Sequence, residues 1–354
     1  MERITITPRE LNLPESIPLP KRKDWRIGIV GFGGIARGAH APAYRDAGWT
    51  IVAVADPDPN AQKEAKERVG VQHIYTDYRQ LIGDDDVEVI DLCTQPVVRE
   101  EVVFAAADTG KHIITEKPFG TTIAECMRMV EAADRARIKI AVHQNYRWMK
   151  MNYLAHHIIQ NGFIGDPFFA SIEIFGQQDV SLAKHPFYSQ CDNFLTVQWD
   201  NHLADLLRYW TGKDAIRVLA RTGRMNGQNF KSDNLLVVMA DFGEGLTGHI
   251  LHSELLRSNL HSVQCRVDGG KGSLVFDFHS TLVLEASILG KETHTLDTSG
   301  LNYISSHSGS MGDFLLAIEE DREPLVSGRR NLATIRTILA EDESARLGGR
   351  WVTC

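Results

Sequence analysis

From residue 25 onward the chain alternates short apolar runs with amphipathic stretches. "WRIGIVGFG", "WTIVAVADPD", "VEVIDLCT", "KHIIT" and "KIAVHQN" read as strands. The segments between them, "GIARGAHAPAYRDAG", "NAQKEAKERVG", "REEVVFAAADTG" and "TIAECMRMVEAADRAR", read as helices. Strands that are apolar throughout and separated by helices predict right-handed crossovers and a doubly wound parallel sheet, with a boundary near residue 148. Beyond "LAHHIIQNGFIGDP" the pattern changes to strands joined by tight turns: "FFASIEIFG", "AIRVLARTG", "NLLVVMADFGEGLTGHILHSEL", "SVQCRVDGGKGSLVFDF" and "TLVLEASIL". The turns "FGEG" and "DGGKG" suit hairpins, so the second sheet is expected to be open and mainly antiparallel. A helix is expected at 199–211, and helical periodicity returns in "GDFLLAIEEDREP" and "LATIRTILAEDESARLG".

The predicted organisation is thus an arm over 1–24, a dinucleotide-type α/β domain over 25–148, and an α+β domain over 149–354 whose C-terminal helices can pack back on the first. Pro8, Pro14, Pro18 and Pro20 keep the arm extended, as a flexible leader or as a strand laid on a neighbouring subunit.

Composition removes several classes. The 354 residues are 43% hydrophobic and 24% charged, enough to pack a core in each of two domains. With 38 basic against 46 acidic residues the net charge is −8, and no dense basic run beyond "KRK" suggests a nucleic-acid partner. Five scattered cysteines without metal spacing predict reduced thiols in a cytoplasm. No stretch approaches the roughly 18 apolar residues of a membrane span, so no membrane partner is expected.

Three motifs carry chemistry. "GFGGIA" places Gly31, Gly33 and Ala36 in G-x-G-x-x-A form between a strand and a helix, where free N–H groups and the helix dipole face a pyrophosphate. Alone this run is weak evidence. Asp56, closing the next strand, is placed for a ribose diol, and as a carboxylate it disfavours a 2′-phosphate, so NAD is expected over NADP. The expected dinucleotide contacts at the turn and the strand end are Gly31, Phe32, Gly33, Gly34, Ile35 and Asp56. In "HIITEKPFG" the strand stops at a lysine beyond its carboxyl end, where ligands of parallel sheets bind. Lys117 there either pairs with Glu116 structurally or polarises a substrate oxygen during hydride transfer. On the helix from 199, a spacing of 100° per residue puts Gln198, His202, Asp205 and Tyr209 within an arc of about 60°, away from Trp199, Leu203, Leu206, Leu207 and Trp210. His156, His157, His185, His249 and His252 have no partner pattern.

The ordered series "GFGGIA", "VADPD", "CTQP", "GKHIITEKPFG", "HQNYRW", "NGFIGDP" and "HLADLLRYWTG" resembles the Gfo/Idh/MocA oxidoreductases over roughly residues 25 to 352. The resemblance implies a Rossmann domain carrying NAD(P), a C-terminal domain with an open antiparallel sheet, and hydride transfer at a ring carbon of a sugar, sugar derivative or cyclitol. It implies Lys117 as the catalytic lysine and His202 as the acid/base, and it adds Thr94, Gln95, Pro96, Glu116 and Lys117 to the dinucleotide contacts; Gln198 and Asp205 on the polar stripe, and Asn145 and Arg147 at the hinge after the last strand, are the pocket candidates. Three departures stand out. Gln95 follows Thr94 where proline is usual, Arg99 replaces a histidine, and Gln198 replaces an aspartate four residues before His202. An NAD-dependent glycosidase on the same scaffold and a non-catalytic NAD-binding regulator remain the alternatives. Strands such as "LLVVMADF" and "SLVFDF" leave an apolar sheet face, which predicts a homodimer or homotetramer.

Overall fold

The computed structural model describes residues 3–290, 292–299, 301 and 303–354. The chain divides into two compact units. One comprises Ile17–Trp148 and Ile304–Ile335; the other comprises Met1–Ser16, Met149–Tyr303 and Arg336–Cys354. The first strand, β1 (Arg3–Ile6), belongs to the second of these.

The unit beginning at Ile17 is built on β2 (Arg26–Val30), β3 (Thr50–Ala55), β4 (His73–Tyr75), β5 (Val89–Leu92), β6 (His112–Thr115) and β7 (Ile140–Val142). Their order is β4-β3-β2-β5-β6-β7 and every pairing is parallel, as the apolar runs predict. In β3 and β5 nearly every residue is buried, because helices cover both faces of such a sheet. The core joins Trp25, Ile27, Ile29, Phe32, Tyr44, Val54 and Ile114 to Met311, Phe314 and Leu315 of the helix Ser306–Glu319. The strand order reverses between β2 and β5, which opens the crevice at the carboxyl ends of these strands.

One local departure matters for the site. The segment expected as a single regular helix after the glycines contains a wide turn, Ala36–His40, in which Ala41 N–H donates to Ala36 O, before the α-helix Ala41–Ala47. Pro42 in the first turn of that helix has no N–H to offer, and the wider turn precedes it. His40 closes that turn and is wholly buried.

The other unit carries β8 (Pro167–Phe175), β9 (Arg217–Gly223), β10 (Leu235–Asp241), β11 (Thr247–Ser253), β12 (Ser262–Gly269), β13 (Gly272–Phe276), β14 (Leu282–Ala286), β15 (Thr293–Leu296) and β16 (Val352–Thr353). Among the described residues its sheet runs β1-β15-β14-β13-β12-β8-β11-β10-β9-β16. The pairings β8/β11 and β1/β15 are parallel and the rest antiparallel. "FGEG" and "DGGKG" form the hairpins β10/β11 and β12/β13. Residues of the N-terminal segment thus add a strand to the chain's own sheet, with Leu11 and Leu13 buried. The helix expected at 199–211 spans Asp200–Thr211 and follows a wide turn at Phe194–Trp199.

Candidate active site

In the parallel unit, the turn after β2 has the shape a dinucleotide needs. Gly31 has φ +87°, its N–H donates to Ala55 O at 2.8 Å, and an added Cβ would lie 3.0 Å from Cys93 O. Only glycine combines that dihedral with that approach. A Cβ on Gly33 or Gly34 would meet nothing within 4 Å, so the cradle is open where a pyrophosphate would lie against the first helical turn. At the end of β3, Asp56 Oδ2 accepts from Phe32 N–H at 2.7 Å and Oδ1 from Asp58 N–H at 2.9 Å. These bonds fix the carboxylate beside the glycine turn. Arg37, which sequence reasoning passed over, donates to Gly33 O at 3.2 Å and pairs with Glu64 at 2.6 Å. The residues fit NAD.

The loops after β5 and β6 are braced by one buried side chain. Arg99 donates to Thr94 O at 2.7 Å, to Lys117 O at 3.5 Å and to Pro118 O. The residue noted as a replaced histidine therefore ties the Thr94–Gln95–Pro96 loop to the Glu116–Lys117–Pro118 loop. Burial lowers the Arg99 pKa to about 10, which leaves it charged at neutral pH. Lys117 is partly buried, and its proton affinity is lowered by burial first and by the Arg99 charge, while Glu116 opposes both. That is the direction a lysine needs to exchange protons nearer neutrality.

Glu116, expected at the cofactor, turns its carboxylate inward. Oε1 lies 2.9 Å from His40 Nε2 and Oε2 accepts from Lys117 N–H at 3.0 Å. His40 Nδ1 lies 2.8 Å from Asp91 Oδ2. Asp91 also accepts from Tyr44 Oη at 2.8 Å and meets His143 Nε2 at 3.1 Å, and His143 Nδ1 reaches Ser310 Oγ at 3.1 Å. None of this network was foreseen. Its one legible signal is the aspartate inside the otherwise apolar strand "VIDL", since a buried carboxylate requires partners. At the end of the unit, Asn145 donates to Ser306 Oγ at 3.1 Å and Arg147 to Leu325 O at 3.3 Å, which anchors the "NYRW" turn.

In the sheet unit, His202 sits in the first turn of Asp200–Thr211, 7% exposed, its ring edge-on to Trp199 with centroids 6.3 Å apart. Gln198 lies in the wide turn before it, so the 100° spacing used for the polar stripe does not carry from Gln198 to His202. Asp205 is 1% exposed and pairs with Arg208 at 3.5 Å. Tyr209 stacks on His156 with centroids 3.9 Å apart. His252, which shows no partner pattern in the sequence, is buried, with Nε2 2.9 Å from Glu254 Oε1. Asp200 and Glu341 form a second unforeseen feature. Both are wholly buried, and both pKa values are raised: Asp200 to about 6, chiefly by burial, with Glu341 hydrogen bonding and His252 acting against it.

A six-stranded parallel sheet with this order, a glycine cradle, an acidic strand end and a lysine at the crevice defines a dinucleotide-dependent oxidoreductase. The chain belongs to the Gfo/Idh/MocA family: residues 25–144 match its oxidoreductase, NAD-binding Rossmann-fold domain and residues 154–275 its C-terminal domain. It is 26% identical to D-apiose dehydrogenase of Paraburkholderia graminis over 92% of this chain and 89% of that protein. Identity to myo-inositol 2-dehydrogenase of Thermotoga maritima is also 26%, over 86% of this chain and 91% of that one. An oxidoreductase from Agrobacterium radiobacter, solved with NAD+, L-tartaric acid and magnesium, shares the fold with a TM-score of 0.84 at 23% identity, covering 93% of this chain and 98% of that one.

Proposed function

We propose that this enzyme moves a hydride between NAD, preferred over NADP, and a ring carbon of a sugar, sugar derivative or cyclitol. The observation that carries this reading is Lys117: its peptide is fixed at the carboxyl end of β6 by Glu116 and Arg99, and its side chain has a lowered proton affinity. Bound nicotinamide supplies the hydride acceptor or donor. The chain's own groups do the rest. Gly31, Phe32, Gly33, Gly34 and Ile35 hold the pyrophosphate, Asp56 the ribose, and Thr94, Gln95 and Pro96 the nicotinamide side. Lys117 holds the reacting oxygen and stabilises its alkoxide character, while His202 exchanges the proton. Gln198, Asp205, Asn145 and Arg147 are assigned to the substrate's remaining hydroxyls.

The names of the relatives, which are sugar and cyclitol dehydrogenases, support this substrate class over a glycosidase or a regulator. The test is a screen of sugars and cyclitols for stoichiometric NADH formation, repeated as ketone reduction. Turnover that leaves NAD unconsumed would point to the glycosidase, and NAD binding with no turnover to the regulator.

The same proposal covers setting and assembly. Five free thiols support a reducing, cytoplasmic location. On one face of the large sheet Leu219, Val237, Leu251, Val275 and Val283 are partly exposed and Met239 is 44% exposed, which supports a homodimer or homotetramer joined there. Sedimentation at micromolar concentration should give a dimer or tetramer; a monomer alone would contradict this.

A further inference from the structure

The buried chain Glu116–His40–Asp91–His143–Ser310 lies in the parallel unit directly behind the Lys117 peptide. His40 is its centre, with 0% exposure and each ring nitrogen within 2.9 Å of a carboxylate oxygen. A neutral imidazole has one donor and one acceptor nitrogen. An acceptor nitrogen cannot bond an ionised carboxylate, so either the ring carries two protons or one acid carries one.

The surroundings decide between these. Asp91 accepts from Tyr44 Oη and lies within 3.5 Å of Cys93 Sγ and 3.1 Å of His143 Nε2, so up to four hydrogens converge on it. Glu116 accepts from His40 and from a backbone N–H. Both acids are set up as acceptors, which assigns both ring protons to His40. The two carboxylates then face the imidazolium, the Lys117 ammonium and the buried Arg99 guanidinium, so neither acid is left without a cationic partner.

We propose that His40 is a positioning residue for Lys117: acting through Glu116, it holds the carboxylate against the Lys117 peptide as an anion, and that anion opposes proton loss from the lysine. This rests on the reading of Lys117 as the catalytic lysine. The other groups facing these residues fit. Cys93 is pushed up to about 12, by burial and then by Asp91, and stays a thiol. His307, whose ring lies 4.9 Å from that of His40, is pushed down to about 3 by burial and then by His40, and is neutral. On Lys117 itself Arg99 works in the opposite sense to Glu116. Lys117 is therefore tuned between a cation that expels its proton and an anion that retains it, and His40 determines whether the anion is present. Without the His40 charge Glu116 loses the one cation in contact with its Oε1, and, at 8% exposure the nearer of the two acids to solvent, it takes up a proton.

The experiment follows Lys117 in the full chain without cofactor or substrate, by NMR titration of protein carrying 13Cε-lysine. The signal is assigned by its loss in Lys117→Arg. In His40→Gln, which keeps a donor but no charge, the Lys117 midpoint is expected to fall by about one pH unit or more. Glu116→Gln, which removes the anion directly, should shift it the same way and serves should His40→Gln fail to fold. Ser310→Ala, which removes only the far-end contact to His143 Nδ1, should leave it unmoved. An unchanged Lys117 midpoint in either His40→Gln or Glu116→Gln overturns the proposal. Full activity in Lys117→Arg would instead refute the catalytic reading and leave the titration result standing.

Discussion

Two pairs of buried acids in this chain behave in opposite ways. In the parallel unit Asp91 and Glu116 are held well below the ordinary carboxylate range: burial works against their charge, but His40 offsets it for both. In the sheet unit Asp200 and Glu341 are as deeply buried, act on one another without a comparable cation, and are pushed up. Burial alone penalises all four charges, so the charged partner sets the direction. The first pair stays ionised beside the lysine; the second favours the protonated form.

The difference makes opposite predictions for stability. Asp91 is lowered in the folded state, so its contribution is present above its unfolded pKa and lost as pH falls through the folded value. Asp91→Ala strands His40 among buried groups and should cost about 3–5 kcal/mol at pH 7, measured by urea unfolding. His202→Ala tests the other unit's role in the chemistry. It should lower turnover by a factor of roughly 10² or more with the fold intact by circular dichroism. Asp200 is raised, so the folded state holds its proton more tightly and stability falls as pH rises from the unfolded pKa, near 3.8, through about 6. Asp200→Asn should therefore stabilise the protein by about 2–3 kcal/mol at pH 8 and by only about 1 kcal/mol at pH 4.5. A destabilised variant at pH 8 would erase the contrast between the two pairs. Smallest is the cofactor effect of Asp56: calorimetry should find NAD bound at least about tenfold tighter than NADP, or 1.4 kcal/mol.

What the sequence disclosed divides along physical lines. Local signals were legible: the apolar runs of β2, β3 and β5, the glycine turn at Gly31, the hairpins "FGEG" and "DGGKG", and Lys117 at a strand end. Long-range pairings were not. Asp91 announces a need for partners but does not name His40, which lies 51 residues earlier, or His143, which lies 52 later. Asp200 meets Glu341 only through the fold, and the helix periodicity around Glu341 gives no sign of it. Arg99 was visible as a substitution, yet its role depends on three carbonyls of two loops. The wide turn at Phe194–Trp199 also displaced Gln198 from the register that a regular helix would impose.

Lys117→Ala, assayed side by side for turnover and for NAD binding by calorimetry, bears most directly on the central claim that this lysine performs the chemistry. With the best substrate, turnover should fall by a factor of roughly 10² or more while the NAD Kd stays within about threefold of the wild type. Turnover that survives the change, or that falls only as far as NAD binding falls, would contradict it.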